Sequence, residues 1–199
     1  MSRIAALVLA AGRSSRMGAN KLLIETGGRR LVERAVDAAL ASRAASVTIV
    51  LGHDAAALRA VLAGRPAALV ENPHHAQGLG SSLRAGIAAL GPDSDGAVVC
   101  LADMPEVGPA LIDRLIEAYD PDSGIEIAAP VRDGRRGNPV LWGRCFFPAL
   151  MAIDGDAGAR HLIERHADRL ARIDWPDETP FIDLDTPEAL ARWRSDSRD

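Results

Sequence analysis

The residues Leu9-Ala-Ala-Gly-Arg-Ser-Ser-Arg-Met-Gly-Ala-Asn-Lys21 combine two glycines, small side chains and three spaced cations, with no carboxylate among them. An apolar run, Ile4 to Leu9, leads into them. A loop of this kind lays backbone N–H groups along a polyphosphate, while Arg13, Arg16 and Lys21 balance its charge. Gly12 and Gly18 permit close approach of the backbone. The ligand this implies is a nucleoside triphosphate. Two other phosphate loops do not fit. Lys21 is not adjacent to Gly18 and is followed by Leu22, which excludes a Walker A loop. Arg13 and Ser14 follow Gly12, so the second glycine of a dinucleotide fingerprint is missing.

Two places offer carboxylates to such a ligand. Asp103 follows the apolar run Ala97–Leu101, and a carboxylate at a strand's carboxyl end beside a phosphate loop suits Mg²⁺. Asp183 and Asp185 alternate onto one side of an extended segment just before a helix. They either complete the metal site or, for Asp185, cap that helix. A second polar loop, Asn72 to Ser82, carries Gln77, Gly78, Ser81 and Ser82, groups able to read a nucleobase edge. The neighbouring His74 and His75 read as surface residues, because adjacent rings seldom reach one ion. The basic loop Arg132–Asn138, with Arg132, Arg135 and Arg136, reads either as a seat for an anionic acceptor or as a solvated turn. Arg160 follows a glycine-punctuated turn and either meets phosphate or pairs with Asp156.

These residues need a scaffold that brings distant loops together. Strand and helix patterns alternate along the 199 residues. Strands are expected at Ile4–Leu9, Ser46–Leu51, Ala67–Glu71, Ala97–Leu101, Ile125–Val131 and Arg172–Trp175. Leu31, Val32, Ala35, Val36, Ala39 and Leu40 recur at helical spacing. Asp54 is expected to cap a helix carrying Leu58, Val61 and Leu62, and Ser81 or Ser82 one that runs through Leu90. Pro109 opens a helix with Leu111, Ile112 and Leu115 on one face. Phe146–Met151 and Gly158–Leu170 read as helices, and Thr186 caps a last one with Pro187 in its first turn. The order implies an α/β fold, a doubly wound, mostly parallel sheet with helices on both faces. A single domain, 1–199, is expected, and Gly12, Gly52 and Asp103 should face one crevice.

Composition narrows the setting. Net charge is −4, against a nucleic-acid partner. No apolar run spans a bilayer, and Met1-Ser-Arg-Ile4 enters a strand without a signal-peptide pattern. Two cysteines, Cys100 and Cys145, make neither a disulfide framework nor a zinc site, so a reducing cytoplasm is expected. A monomer is expected rather than an obligate oligomer.

LAAGRSSRMGANK resembles the signature of nucleotidyltransferases that activate a phosphorylated acceptor with a nucleoside triphosphate. HHAQGLGSSLRAGI, LADMP, GRRGNPVLW, GDAGAR and FIDLDTPEAL follow in order, and the set is similar to the molybdenum cofactor cytidylyltransferases and their close relatives over nearly the whole chain. The resemblance implies a Rossmann-like nucleotidyltransferase fold, with a nucleotide half near 1–105 and an acceptor half near 106–195. It also implies a reaction: CTP and molybdopterin give molybdopterin cytosine dinucleotide and pyrophosphate. By the same resemblance, Leu9, Ala10, Ala11, Gly12 and Arg13 bind nucleotide, with Gln77, Gly78, Ser81 and Ser82 seating base and ribose. Arg16, Lys21 and Asp103 are catalytic, and Asp103 with Asp183 or Asp185 holds Mg²⁺. Arg135, Arg136, Asn138 and Arg160 meet the acceptor, and a recipient molybdoenzyme is an implied partner. Ala11 matches the cytidylyl branch, since guanylyl relatives usually have glycine there. Asn138 stands where relatives often carry histidine. Transfer of another nucleotide to another acceptor, or a molybdenum cofactor-binding chaperone, are the alternatives.

Overall fold

A computed structural model describes residues 2–12, 20–155, 158–184 and 186–196. β1 (Ile4–Ala10) is buried at all seven positions. Its side chains alternate between two cores, Ile4, Ala6, Val8 and Ala10 in one and Leu7 and Leu9 in the other. A strand covered on both faces has to be apolar throughout, which is why this run carries no polar residue.

A small hairpin, β2 (Glu25–Thr26) and β3 (Arg29–Arg30), leads from the phosphate loop into α1 (Leu31–Ala41). β4 (Ser46–Leu51), α2 (Ala55–Val61), β5 (Ala68–Glu71) and α3 (Leu79–Ala88) follow. Next come β6 (Gly96–Leu101), α4 (Pro109–Glu117) and β7 (Ile127–Arg132). β8 (Arg135–Arg136), β9 (Val140–Gly143), α5 (Phe147–Met151), α6 (Arg160–Arg165), β10 (Leu170–Asp174) and α7 (Pro187–Asp196) complete the order.

The main sheet runs β10-β7-β9-β6-β1-β4-β5, with β8 paired to β7. β1 lies parallel to β4 and β6, β5 to β4, and β10 to β7. α1, α2 and α4 pack in the first core and α3, α5 and α6 in the second, on opposite faces of the sheet. This is the expected doubly wound α/β fold. The chain winds outward from β1 through β4 to β5, then returns to the other flank of β1 as β6. The reversal opens a crevice at the carboxyl ends of β1 and β6.

Four local expectations are corrected. β9 was not foreseen: it lies antiparallel between β6 and β7. The stretch 158–170 is a six-residue helix, α6, followed by a 3₁₀ turn at Ala167–Arg169, and the edge strand starts at Leu170. Asp54 stands at the N-cap of α2 but is left-handed at φ 56° and makes no capping bond. Its carboxylate lies 3.5 Å from His53 Nε2 instead. α3 starts at Leu79 behind Gly78, so neither Ser81 nor Ser82 caps it. Thr186 does accept from Ala189 N at 3.2 Å at the start of α7. Cys100 is a core residue, and burial pushes its thiol up to about 12. Among the described residues no helix is long and apolar enough to cross a membrane.

Gly80 marks the closest packing near the crevice. Its N–H donates to Gly155 O at 2.9 Å, and a Cβ built on it meets Ile153 O at 2.3 Å. Alanine favours a helix interior over glycine by about 1 kcal/mol. Overpacking against backbone costs about 1–3 kcal/mol, and no side-chain rotation relieves it. Gly80→Ala is therefore expected to lower stability, read as a drop in the urea midpoint at unchanged slope. An unchanged or raised midpoint contradicts the packing argument.

Candidate active site

Two turns meet where the winding reverses. Ala11 and Gly12 leave β1, and Ala102 and Asp103 leave β6. Ala102 N donates to Leu9 O at 3.1 Å, and His53 N donates to Ala11 O at 3.3 Å, so the first turn is fixed from both sides. Ala10 and Ala11 are buried beneath it. Gly12 is exposed, with open space where a side chain would point. Arg13, Arg16 and Asp185 lie outside the described residues.

The chain is described again from Asn20, which sets the position of Lys21. Asn20 Oδ1 accepts from Leu22 N at 3.1 Å and starts a 3₁₀ turn over Lys21–Leu23. Asn20 Nδ2 donates to His53 O at 3.3 Å. Lys21 is thereby turned inward, and its Nζ donates to Asp103 Oδ2 at 2.8 Å. The lysine side chain is only 9% exposed and the aspartate 23%. The cation read as a triphosphate ligand and the carboxylate read as a metal ligand thus form one partly buried ion pair, in contact across 82 residues of sequence.

The other acidic segment reaches the same turn. Leu184 N donates to Asp103 O at 3.2 Å, so Asp183, which is exposed, sits one residue from the loop that carries Asp103. Among the described residues no group of three His, Cys, Asp or Glu side chains is gathered as a metal site. The donors present are carboxylate oxygens, the chemistry a hard divalent cation takes, usually as one or two carboxylates with phosphate oxygens and water. Asp103 and Asp183 fit that role.

In the second polar loop, Gly78 has φ 96°, a backbone that only glycine adopts without strain. Gln77 is exposed at the end of the 3₁₀ turn His75–Gln77. Ser81 and Ser82 are buried, and Asn72 Nδ2 donates to their hydroxyls at 2.9 and 3.1 Å. Ser81 Oγ also lies 2.9 Å from the carbonyls of His74 and Gly78. Both serines therefore hold the shape of the loop from beneath. Asn72, expected only as the first residue of this loop, is the group that ties it together. It is 2% exposed, and a buried amide between two glycine-rich turns needs partners.

A cavity of about 220 Å³ is lined by residues of β1, β6 and β9. Leu9, Leu83, Val99, Leu101 and Trp142 give it an apolar floor. Arg136, Asn138 and Arg160 line the same cavity, so three of the four residues expected to meet an acceptor converge with Leu9, expected to meet nucleotide. Arg135 does not line this cavity, but it lines a second one together with Arg136 and Arg160. Its guanidinium lies over the Phe181 ring, 5.4 Å from its centroid. Burial, and then the charge of Arg160, lower the pKa of Arg136. A guanidinium stays charged even so. Arg160 Nε donates to Glu164 Oε1 at 2.9 Å, so part of the positive charge at this wall is already balanced. The loop is held tightly: Asn138 N donates to Pro180 O at 3.0 Å, and a Cβ on Gly137 meets that same oxygen at 2.5 Å. Cys145 does not line the cavity. Its thiol donates to Glu126 and is pushed up to about 11, first by burial.

Comparison with known proteins gives this geometry a family. Residues 6–170 match the model of the MobA-like NTP transferase domain. The chain is 33% identical over 195 residues to nicotine blue oxidoreductase of Paenarthrobacter nicotinovorans, covering 95% of each chain. It is 27% identical over 191 residues to a molybdenum cofactor guanylyltransferase of Photobacterium profundum, covering 94% of this chain and 93% of that one. Among solved structures, Rv0371c of Mycobacterium tuberculosis superposes with a TM-score of 0.86 at 28% identity over 98% of both chains. The same protein has been solved as a complex with manganese, with a TM-score of 0.78 over 98% of this chain and 99% of that one. The strand-end loop, the carboxylate facing it and the matched model over most of the sheet make this chain a nucleotidyltransferase belonging to the MobA-like NTP transferase domain family.

Proposed function

We propose that the protein transfers a cytidylyl group from CTP to the terminal phosphate of molybdopterin, with Mg²⁺ held by Asp103 together with Asp183 or Asp185. The observation that carries this reading is the Lys21–Asp103 pair at the carboxyl end of β6, with Leu9 and Leu101 of β1 and β6 lining a cavity that has two arginines at its wall. Ala11 favours cytosine on the sequence pattern, and the manganese complex of Rv0371c supports a divalent cation in this family. The nucleotide-binding half is about 1–105 and the acceptor-binding half about 106–195, with Leu9, Leu83, Val99 and Leu101 of the first half flooring the acceptor cavity.

The reaction joins two anions. An oxygen of the acceptor phosphate forms a bond to the α-phosphorus of CTP, and the bond from that phosphorus to the β-phosphate oxygen breaks, releasing pyrophosphate. The nucleophile is already ionised near neutral pH, so no side chain has to remove a proton. What the protein supplies is position and positive charge. The backbone at Gly12 approaches the phosphates, and Lys21 offsets charge on the departing pyrophosphate. Arg136 and Arg160 hold the anionic acceptor against the apolar floor. A divalent cation, when bound, supplies further charge neutralisation at the phosphate oxygens.

The test is incubation of the protein with CTP, GTP, ATP or UTP, Mg²⁺ and molybdopterin, with mass identification of the product. Molybdopterin cytosine dinucleotide is expected from the CTP reaction. A guanine dinucleotide formed in preference overturns the base assignment, and no dinucleotide with any triphosphate overturns the acceptor. Arg136→Ala is expected to raise the KM for molybdopterin about tenfold, the scale of one charge-assisted hydrogen bond. The KM for CTP and the kcat at saturating acceptor should stay near wild type. A matching rise in the KM for CTP contradicts the division of roles.

A further inference from the structure

We propose that Trp193 is a positioning residue for Asp103, acting through the turn that follows β6. The inference rests on the reading of Asp103 as a cation-holding carboxylate. Leu31, Leu184, Leu190 and Trp193 form a small core of their own, distinct from the two cores that flank the sheet. That core sits on the Asp103 turn through two polar contacts. Leu184 N donates to the Asp103 carbonyl at 3.2 Å. The Trp193 indole Nε1–H donates to Glu106 Oε1, three residues further along the same turn. One contact holds the turn at its acidic residue and the other at its far end.

Trp193 is itself fixed from behind. It is 6% exposed, and the Arg34 guanidinium of α1 lies over its ring, 5.4 Å from the centroid. Arg34 in turn donates to Thr26 O at 2.8 Å, within the β2–β3 hairpin. The indole thus joins α1 to the turn behind the carboxylate, and its two faces of chemistry separate cleanly. The ring supports the packing of α7, and the N–H holds Glu106. If Trp193 only stabilised α7, loss of the N–H would change nothing at Asp103. If it positions the turn, loss of the N–H alone loosens the carboxylate.

The experiment titrates Mn²⁺ into the protein in the absence of nucleotide, followed by the electron spin resonance of free Mn²⁺, with the thermal midpoint measured in parallel. Trp193→Phe keeps a ring over Arg34 and removes the N–H. Glu106→Ala removes the acceptor, and Glu106→Gln keeps an acceptor oxygen. Trp193→Phe and Glu106→Ala are each expected to weaken Mn²⁺ binding about tenfold, the scale of losing an outer partner of a metal ligand. The double variant is expected to be no weaker than either alone. Glu106→Gln should hold the wild-type affinity. Wild-type Mn²⁺ affinity in both Trp193→Phe and Glu106→Ala overturns the inference, whatever their thermal midpoints. Failure of the wild type itself to bind Mn²⁺ overturns both the inference and the reading of Asp103 on which it rests.

Discussion

Lys21→Ala is expected to lower pyrophosphate release from CTP and molybdopterin at least about a hundredfold, the scale of removing one charge contact to a transition state. The effect should appear in kcat rather than only in the KM for CTP, because charge on the leaving pyrophosphate grows as the bond breaks. The ion pair adds a second expectation. In the free protein Lys21 Nζ is 2.8 Å from Asp103 Oδ2, so the ammonium competes with any cation for that carboxylate. Removing it should tighten binding of Mn²⁺ alone while turnover collapses. Opposite movement of metal affinity and rate is hard to obtain from general damage to the fold. Single-turnover assays and a Mn²⁺ titration on the same preparation check it. Unchanged turnover in Lys21→Ala places the phosphate site elsewhere.

Asp103→Asn is expected to lose a comparable factor in turnover by the opposite route. The substitution keeps the size of the side chain and a hydrogen-bonding oxygen for Lys21, but removes the charge a divalent cation needs. Mn²⁺ binding should weaken, and the Mg²⁺ concentration for half-maximal rate should rise, where Lys21→Ala moves the first of these the other way. The Lys21→Ala/Asp103→Asn double variant should fall little below the worse single one, because the two groups act as one unit. Full additivity of the two losses means that the pair seen in the free protein has no counterpart in the reacting complex. Wild-type turnover in Asp103→Asn removes Asp103 from the chemistry altogether.

Much of the scaffold follows from local pattern. β4 spans Ser46–Leu51 as its β-branched residues predict, and β1 exceeds the expected strand by Ala10 alone. Both are short, mostly buried apolar runs bounded by polar or glycine-containing segments. β9 escaped because four apolar residues behind Pro139 carry no periodicity long enough to read. Ser81 and Ser82 show a different limit. Hydroxyls in a glycine-rich loop suggest a ligand, yet a buried Asn72 claims them, and only the packed structure reveals which side of the loop they face. Arg135 and Arg136 show a third: both line one cavity with Arg160, and only Arg136 also reaches the one floored by Leu9 and Trp142, a distinction their shared residue type hides. The contact of Leu184 with Asp103 had no signal at all. A backbone hydrogen bond joining residues 81 positions apart leaves no mark on side-chain type.

The place of β9 bears on how the chain comes together as it is made. β6 finds β1 already synthesised and can join it at once. β7 cannot do the same: its partners are the two-residue β8, then β9 and β10, all of which lie after it in the chain. The strand that links β7 to the rest of the sheet therefore emerges later than β7 itself. A nascent chain that stops before Val140 contains all four strands of the β5-β4-β1-β6 platform, but not β9, which joins β7 to it. The half that carries Lys21 and Asp103 can form during synthesis, and the half that carries Arg136 docks onto it as a second event, wedged in place by four residues.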